Sequence, residues 1–141
     1  MPGQGVVARN LTLRSHLGAD HHPTLALGTL WFALYRGSPA AGGVEPDGTG
    51  AYTRVGMTND ATLWGTIGSS DVAVSTIIDV TWPSTSGLYS ITDELNWWGV
   101  HDLSAGGVIW YWGELQTPIL VDAVGDIPRI PAGSLNISQP A

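Results

Sequence analysis

"ELNWWGVHD" (residues 94–102) and "GGVIWYWGEL" (residues 106–115) hold four of the chain's seven tryptophans. Their reading decides the fold. Side chains on a β-strand alternate between faces. In "IWYWG" that rule puts Trp110 and Trp112 on one face and Ile109 and Tyr111 on the other. In "LNWWGV" it sends Trp97 and Trp98 to opposite faces. Both strands therefore carry large rings on both sides. One side can fill a core. The other needs a cover, which is a loop, a ligand or a second chain, because large exposed apolar patches mark contact sites. Trp97, Trp98, Trp110 and Trp112 are the candidate interface residues.

The rest of the chain reads as β-structure too. Nineteen glycines and nine prolines cut it into short pieces rich in strand-forming residues. Strands are expected at 30–35 ("LWFALY"), 51–57 ("AYTRVGM"), 75–82 ("STIIDVTW"), 95–101, 108–115, 119–121 and 135–138 ("LNIS"). Short strands at such spacing predict an all-β, single-domain antiparallel β-sandwich of jelly-roll kind over residues 1–141, with extended N- and C-terminal arms. One short N-terminal helix over 7–17 is an alternative to a strand there, with Gly18 at its C-terminal end. The two prolines of "DIPRIPAGS" (residues 126–134) argue for an edge or an extended arm.

Composition narrows the function. There is no cysteine, so a disulfide framework and a thiolate metal site are excluded. There is no lysine; five arginines face twelve acids, for a net charge of −7. That balance does not suit a phosphate-binding surface, and no nucleic-acid partner is expected. No apolar run is long enough to span a membrane. The opening "MPGQGVVARN" lacks the basic-then-apolar pattern of a secretory signal, so none is expected. Only 12% of residues are charged. A surface so poor in Lys, Glu and Asp, yet rich in aromatics, fits an assembly subunit.

Catalytic and metal-binding readings are weaker. His16, His21 and His22 lie near Asp20 but lack a metal-ligand spacing, and no bound metal or cofactor is expected. His101-Asp102 has Ser104 close by but no nucleophile elbow, so His101 reads as the end of a strand. Asp93, Glu94 and Glu114 supply carboxylates for glycoside chemistry. Acids at strand ends serve solvation as readily, and sugar stacking on the tryptophans needs no catalysis. No enzymatic activity is expected.

The order of the pieces resembles a family of small bacteriophage virion proteins, often labelled tail-fibre proteins. The resemblance rests on "HLG" (16–18), "LWFALYRGSP" (30–39), a Gly-rich loop with a "Y-x-R" strand in "AYTRV" (51–55), "NDATLW" (59–64) and "IIDVTWP" (77–83). It continues through "HD" (101–102) and "GGVIWYWGELQTPILVDAVGDIPRIPAGSLNIS" (106–138), where the family shows a "V-x-x-G-D" turn and an "x-A-G-x-L" end. The chain departs from it in its richness in tryptophan and in the insert "DHHPTLALG" (20–28). The resemblance implies a non-enzymatic virion component, made in the host cytoplasm. The preferred reading is a homo-oligomeric module, a trimer by the symmetry of capsids and tails, that decorates and cements the capsid through the major capsid protein. The alternative is a tail- or collar-attached fibre module that contacts tail or collar proteins and binds host-surface glycan.

Overall fold

Alternation along "TLWFALY" turns Leu30, Phe32 and Leu34 inward from β1 (Thr29–Tyr35), and all three are buried. This computed structural model describes residues 17–18, 28–67 and 73–138. β1 lies between β2 (Val55–Thr58) and β5 (Leu95–His101), and β5 also pairs with β6 (Ile109–Ile119). The four form one antiparallel sheet in the order β2-β1-β5-β6. Register sets its inner face: Phe32 sits opposite Val100 and Leu34 opposite Trp98. Gly113 sits opposite Trp98 on β6, and the indole lies over it so closely that a Cβ there would come within 2.7 Å of Cζ2. Only glycine leaves that ring its place in the core.

Two short antiparallel ladders complete the β-structure. β3 (Ala73–Ser75) pairs with β8 (Asn136–Ser138), and β4 (Val80–Thr81) pairs with β7 (Arg129–Ile130). Val74, Ile137, Val80 and Ile130 from the ladders join Phe32, Leu34, Trp98 and Val100 in one hydrophobic cluster. Trp82, only 1% exposed, is among its largest members. The all-β antiparallel reading is therefore borne out, with two ladders opposite the four-stranded sheet.

Local details differ from the strand expectations. The stretch 75–82 is two strands, because the chain leaves β8 after Ser75 and joins β7 at Val80. Between them, Thr76 N–H donates to Leu135 O and Ile77 N–H to Leu63 O. β2 begins at Val55 and not at Ala51, because Thr49–Ala51 forms a 3-10 turn. β6 absorbs the expected strand at 119–121 in part and runs through Pro118. A proline is tolerated there because β6 is the last strand of its sheet order. Near that end the register shifts: two steps along β5, from Leu95 to Trp97, correspond to five along β6, from Ile119 to Glu114.

A one-turn helix, α1 (Ala61–Trp64), was not expected. Asp60 caps it by accepting from Thr62 N–H at 2.9 Å. Asn59, fully buried before it, accepts from Gly18 N–H at 2.7 Å and from Trp64 Nε1 at 3.1 Å. That amide ties the "HLG" stretch to "NDATLW", with Leu17 in the core. The helix considered over 7–17 lies outside the described residues except for Leu17, as do residues 139–141 of the C-terminal arm.

Candidate contact site on the outer sheet face

The side of the four-stranded sheet away from the core is the candidate site. β1 gives it Trp31, Ala33 and Tyr35; β5 gives Trp97, Gly99 and His101, paired with them in register. β6 adds Ile109, Trp112 and Glu114, opposite His101, Gly99 and Trp97. This face divides into a covered half and an open half.

The covered half is built around Tyr35 and His101. Gly99 has no side chain, so the Tyr35 ring lies across β5, where a Cβ would meet its Cε2 at 2.9 Å. The hydroxyl thereby reaches His101 Nε2 at 2.6 Å, and the two rings stack with centroids 6.0 Å apart. Both side chains are buried. Burial and then the positive charge of Arg54 hold the His101 imidazole below its ordinary pKa. Burial, and then the charge of Glu45, push the Tyr35 phenol up. The Nδ1 of His101 has no hydrogen-bond partner among the described residues.

Arg54 fastens the loop 102–108 beside this pair. Its Nε and Nη2 donate to the two Glu45 carboxylate oxygens, each at 2.9 Å. Its Nη1 donates to Leu103 O at 2.9 Å and Gly106 O at 2.7 Å. Tyr52 completes the arrangement: its hydroxyl donates to Glu45 Oε1 at 2.8 Å and accepts from Leu34 N–H at 3.1 Å. The phenol thus serves a β1 amide beyond the last residue paired with β2. The "Y-x-R" pattern is a clasp that joins the Gly-rich loop, the sheet edge and the loop 102–108. The last of these also closes on itself, as Val108 N–H donates to Asp102 Oδ1 at 2.8 Å.

The open half lies toward the other end of β5. Trp97 is half-buried, and Trp112 keeps 44% of its surface exposed. Glu114, directly across from Trp97, is exposed and makes no ion pair among the described residues. Of the four tryptophans proposed from sequence, these two fall on the same outer face of the sheet. Trp98 does not, being 3% exposed within the core cluster. Its neighbour Trp97 faces the other way, as alternation requires. Trp110 is half-buried at a bulge in the β5–β6 ladder. That extra residue corrects the expected alternation: Ile109 faces outward opposite His101, whereas Tyr111 packs against the core opposite Val100.

The residues considered for catalysis do not converge. His101 is buried against Tyr35, Asp93 is exposed and bonded to Arg36 at 3.3 Å, and Glu114 lies out on β6. His101 and Glu114 are separated by four residues of β5 register, about 13 Å at strand rise. His16, His21 and His22 lie outside the described residues. Among the described residues no group of three His, Asp or Glu is placed to hold a metal ion, and no helix is long and apolar enough to cross a membrane.

Other parts of the sequence pattern are structural as well. Asp126 closes the "VDAVGD" turn (121–126), one residue longer than the family's "V-x-x-G-D", by accepting from Asp122 and Ala123 N–H, each at 3.1 Å. Gly133 of "x-A-G-x-L" adopts a left-handed φ of 81° and donates its N–H to Thr76 O at 2.7 Å. The clasp was the feature sequence reasoning missed. Its only signal was an arginine spaced two from a tyrosine after a Gly-rich loop.

The fold and site define an all-β antiparallel module with a partly open aromatic sheet face. The podophage GP4 fiber I protein gp80 family matches residues 13–138, and the chain belongs to that family. It is a bacteriophage structural protein, a virion component. No curated protein matches it.

Proposed function

We propose that the chain is a non-enzymatic, tail-attached fibre module of the virion, and that the open half of its outer sheet face is its contact with a neighbouring polypeptide. The observation that carries this reading is an exposed Trp112 on the same sheet face as Trp97, in a chain of a phage fibre family. Natural monomers seldom leave clustered aromatic surface unpartnered. Aromatic anchors at interface centres supply much of the binding energy in such contacts. Self-association, as a trimer, belongs to the same proposal and is tested by the native mass of the purified chain.

The experiment for placement is immunogold labelling of intact virions with antibody raised against this chain. Label at the tail is the expected result. Label spread over the head would overturn the tail placement and favour capsid decoration, with the major capsid protein as partner. Host-surface glycan is a second occupant that exposed indoles favour. Saturable binding of host polysaccharide, lost in Trp112→Ala, would establish it.

A further inference from the structure

Three side chains close over Gly99 on the outer face: the Tyr35 ring, the Ile109 side chain and His101, whose Nε2 lies 3.6 Å from where a Cβ would stand. His101 ends β5 and Ile109, opposite it, begins β6, so this cluster sits at the neck of the loop 102–108. Two hydrogen bonds bridge the neck: Asp102 N–H donates to Val108 O at 3.3 Å, and Val108 N–H donates to Asp102 Oδ1 at 2.8 Å. The His101 ring is buried there with the Tyr35 hydroxyl at Nε2. Its Nδ1 is buried too and has no partner among the described residues.

A neutral imidazole carries one N–H and one bare nitrogen, whereas the protonated ring carries two donors. The Tyr35 oxygen can accept from Nε2, but no described group is bonded at Nδ1 to accept from it. The charges around the ring come from the elements packed against it. Arg54, just before β2, is a like charge; burial first, and then that charge, disfavour the imidazolium. Glu45 of the Gly-rich loop and Asp102 of the loop 102–108 are the acids within electrostatic reach. Both already hold the loop, Glu45 through Arg54 and Asp102 through Val108. β1 offers the Tyr35 phenol and β6 the apolar Ile109. An imidazolium at His101 therefore gains water or a carboxylate by competing with the bonds that fix the loop.

We propose that protonation of His101 opens the loop 102–108 at its neck while the rest of the fold holds, so that the covered half of the outer face becomes accessible in acid. A histidine whose two charge states differ in the bonds they can satisfy is the usual element of such a switch. Local opening breaks fewer contacts than unfolding of the sheet, so the loop responds first. The proposal is independent of the contact reading of Trp97 and Trp112, which lie on the other half of the face.

The test is hydrogen exchange on the full chain, read by NMR and corrected for the intrinsic rate at each pH. The Asp102 and Val108 amides report the neck, and the Trp98 and Val100 amides of the central strand β5 report the whole fold. The opening constant at the neck is expected to rise below about pH 6.5, by up to about tenfold per pH unit, because opening takes up one proton. The rise should level off at the pH where the assigned His101 ring signal of the parent chain titrates, a check that needs no variant. Trp98 and Val100 should stay better protected than the neck at every pH. His101→Gln, shown to fold by its melting curve, should remove the pH dependence at Asp102 and Val108. Corrected exchange at the neck that does not change with pH, or that keeps its pH dependence in His101→Gln, would overturn the proposal. Exchange at the neck no faster than at Trp98 and Val100 would overturn it too, since the loop would then open only when the whole chain unfolds.

Discussion

Glu45→Ala removes the carboxylate that, among the described residues, alone bonds a guanidinium whose side chain is 7% exposed. Removing one partner of a buried ion pair costs roughly 3–5 kcal/mol, because the remaining charge stays desolvated. Glu45 itself is 21% exposed, so entering water recovers part of that and the lower end applies. Tyr52 also loses the acceptor for its hydroxyl, a loss on the order of 1 kcal/mol that overlaps with the first. The expected destabilisation is about 3 kcal/mol, or a fall in Tm of roughly 10 °C for a chain of this size. Urea titration measures it. Hydrogen exchange of the 103–107 amides should quicken at the same time, since Arg54 holds that loop at Leu103 and Gly106. The double variant Glu45→Met, Arg54→Met should cost clearly less than the sum of the single ones, because it buries no lone charge. A loss below 1 kcal/mol with unchanged loop exchange would refute the clasp and reduce the pair to an ordinary surface contact.

Three further outcomes follow from the same geometry. Gly113→Ala drives a Cβ into the Trp98 indole and should cost about 1–3 kcal/mol, read by denaturant titration. The two inward- and outward-facing tryptophans should separate sharply: Trp98→Ala should cost roughly 3–5 kcal/mol, Trp112→Ala less than about 1 kcal/mol. Stability should fall with acid in a window set by His101. The folded chain keeps that ring neutral, while the unfolded imidazole takes a proton near pH 6.5, so the unfolded state binds more protons as pH drops below about 6.5. The loss should level off below the depressed folded value, and His101→Gln should flatten melting temperature across that window. Asp47, held below the ordinary carboxylate range chiefly by its bond from the Thr49 side chain, acts only at lower pH.

The central strands were legible because they obey one rule over several residues. Period two put Trp97 and Trp98 on opposite faces, as they are, but it did not say which one turns inward, because "LWFALY" and "LNWWGV" carry apolar residues on both faces. The rule failed where a ladder is irregular. The bulge at Trp110 separates Ile109 from Tyr111, and nothing in "VIWYWG" marks the extra residue. It failed again over 75–82, where one apolar run serves two ladders and leaves Ile77 and Ile78 exposed between them. The strand through Pro118 was cut short in the reading because its edge position is a property of sheet order, which local sequence does not carry.

The site was legible only as a question. Alternation demanded a cover for the second aromatic face, and the reading preferred a second chain over a loop or a ligand. The structure gives a loop to one half of that face. The loop 102–108 is anchored beside Tyr35 and His101, while Trp97 is half-buried and Trp112 exposed. The division depends on Glu45 and Arg54, which meet from either side of a Gly-rich loop. Asn59 was equally hidden, because a buried amide serving Gly18 and Trp64 has no periodic signature. The fibre resemblance, by contrast, was carried by short patterns spread along the chain, and the family match covers nearly the same span.

The most direct test of the account is oxidative footprinting of the tryptophans in the free chain and in intact virions, read by mass spectrometry. Trp98 should resist oxidation in both, Trp112 should oxidise readily in the free chain, and Trp112 and Trp97 should become protected in the particle. Equal oxidation of Trp112 in the free chain and in the virion would contradict the claim that this face is where the module meets its neighbour.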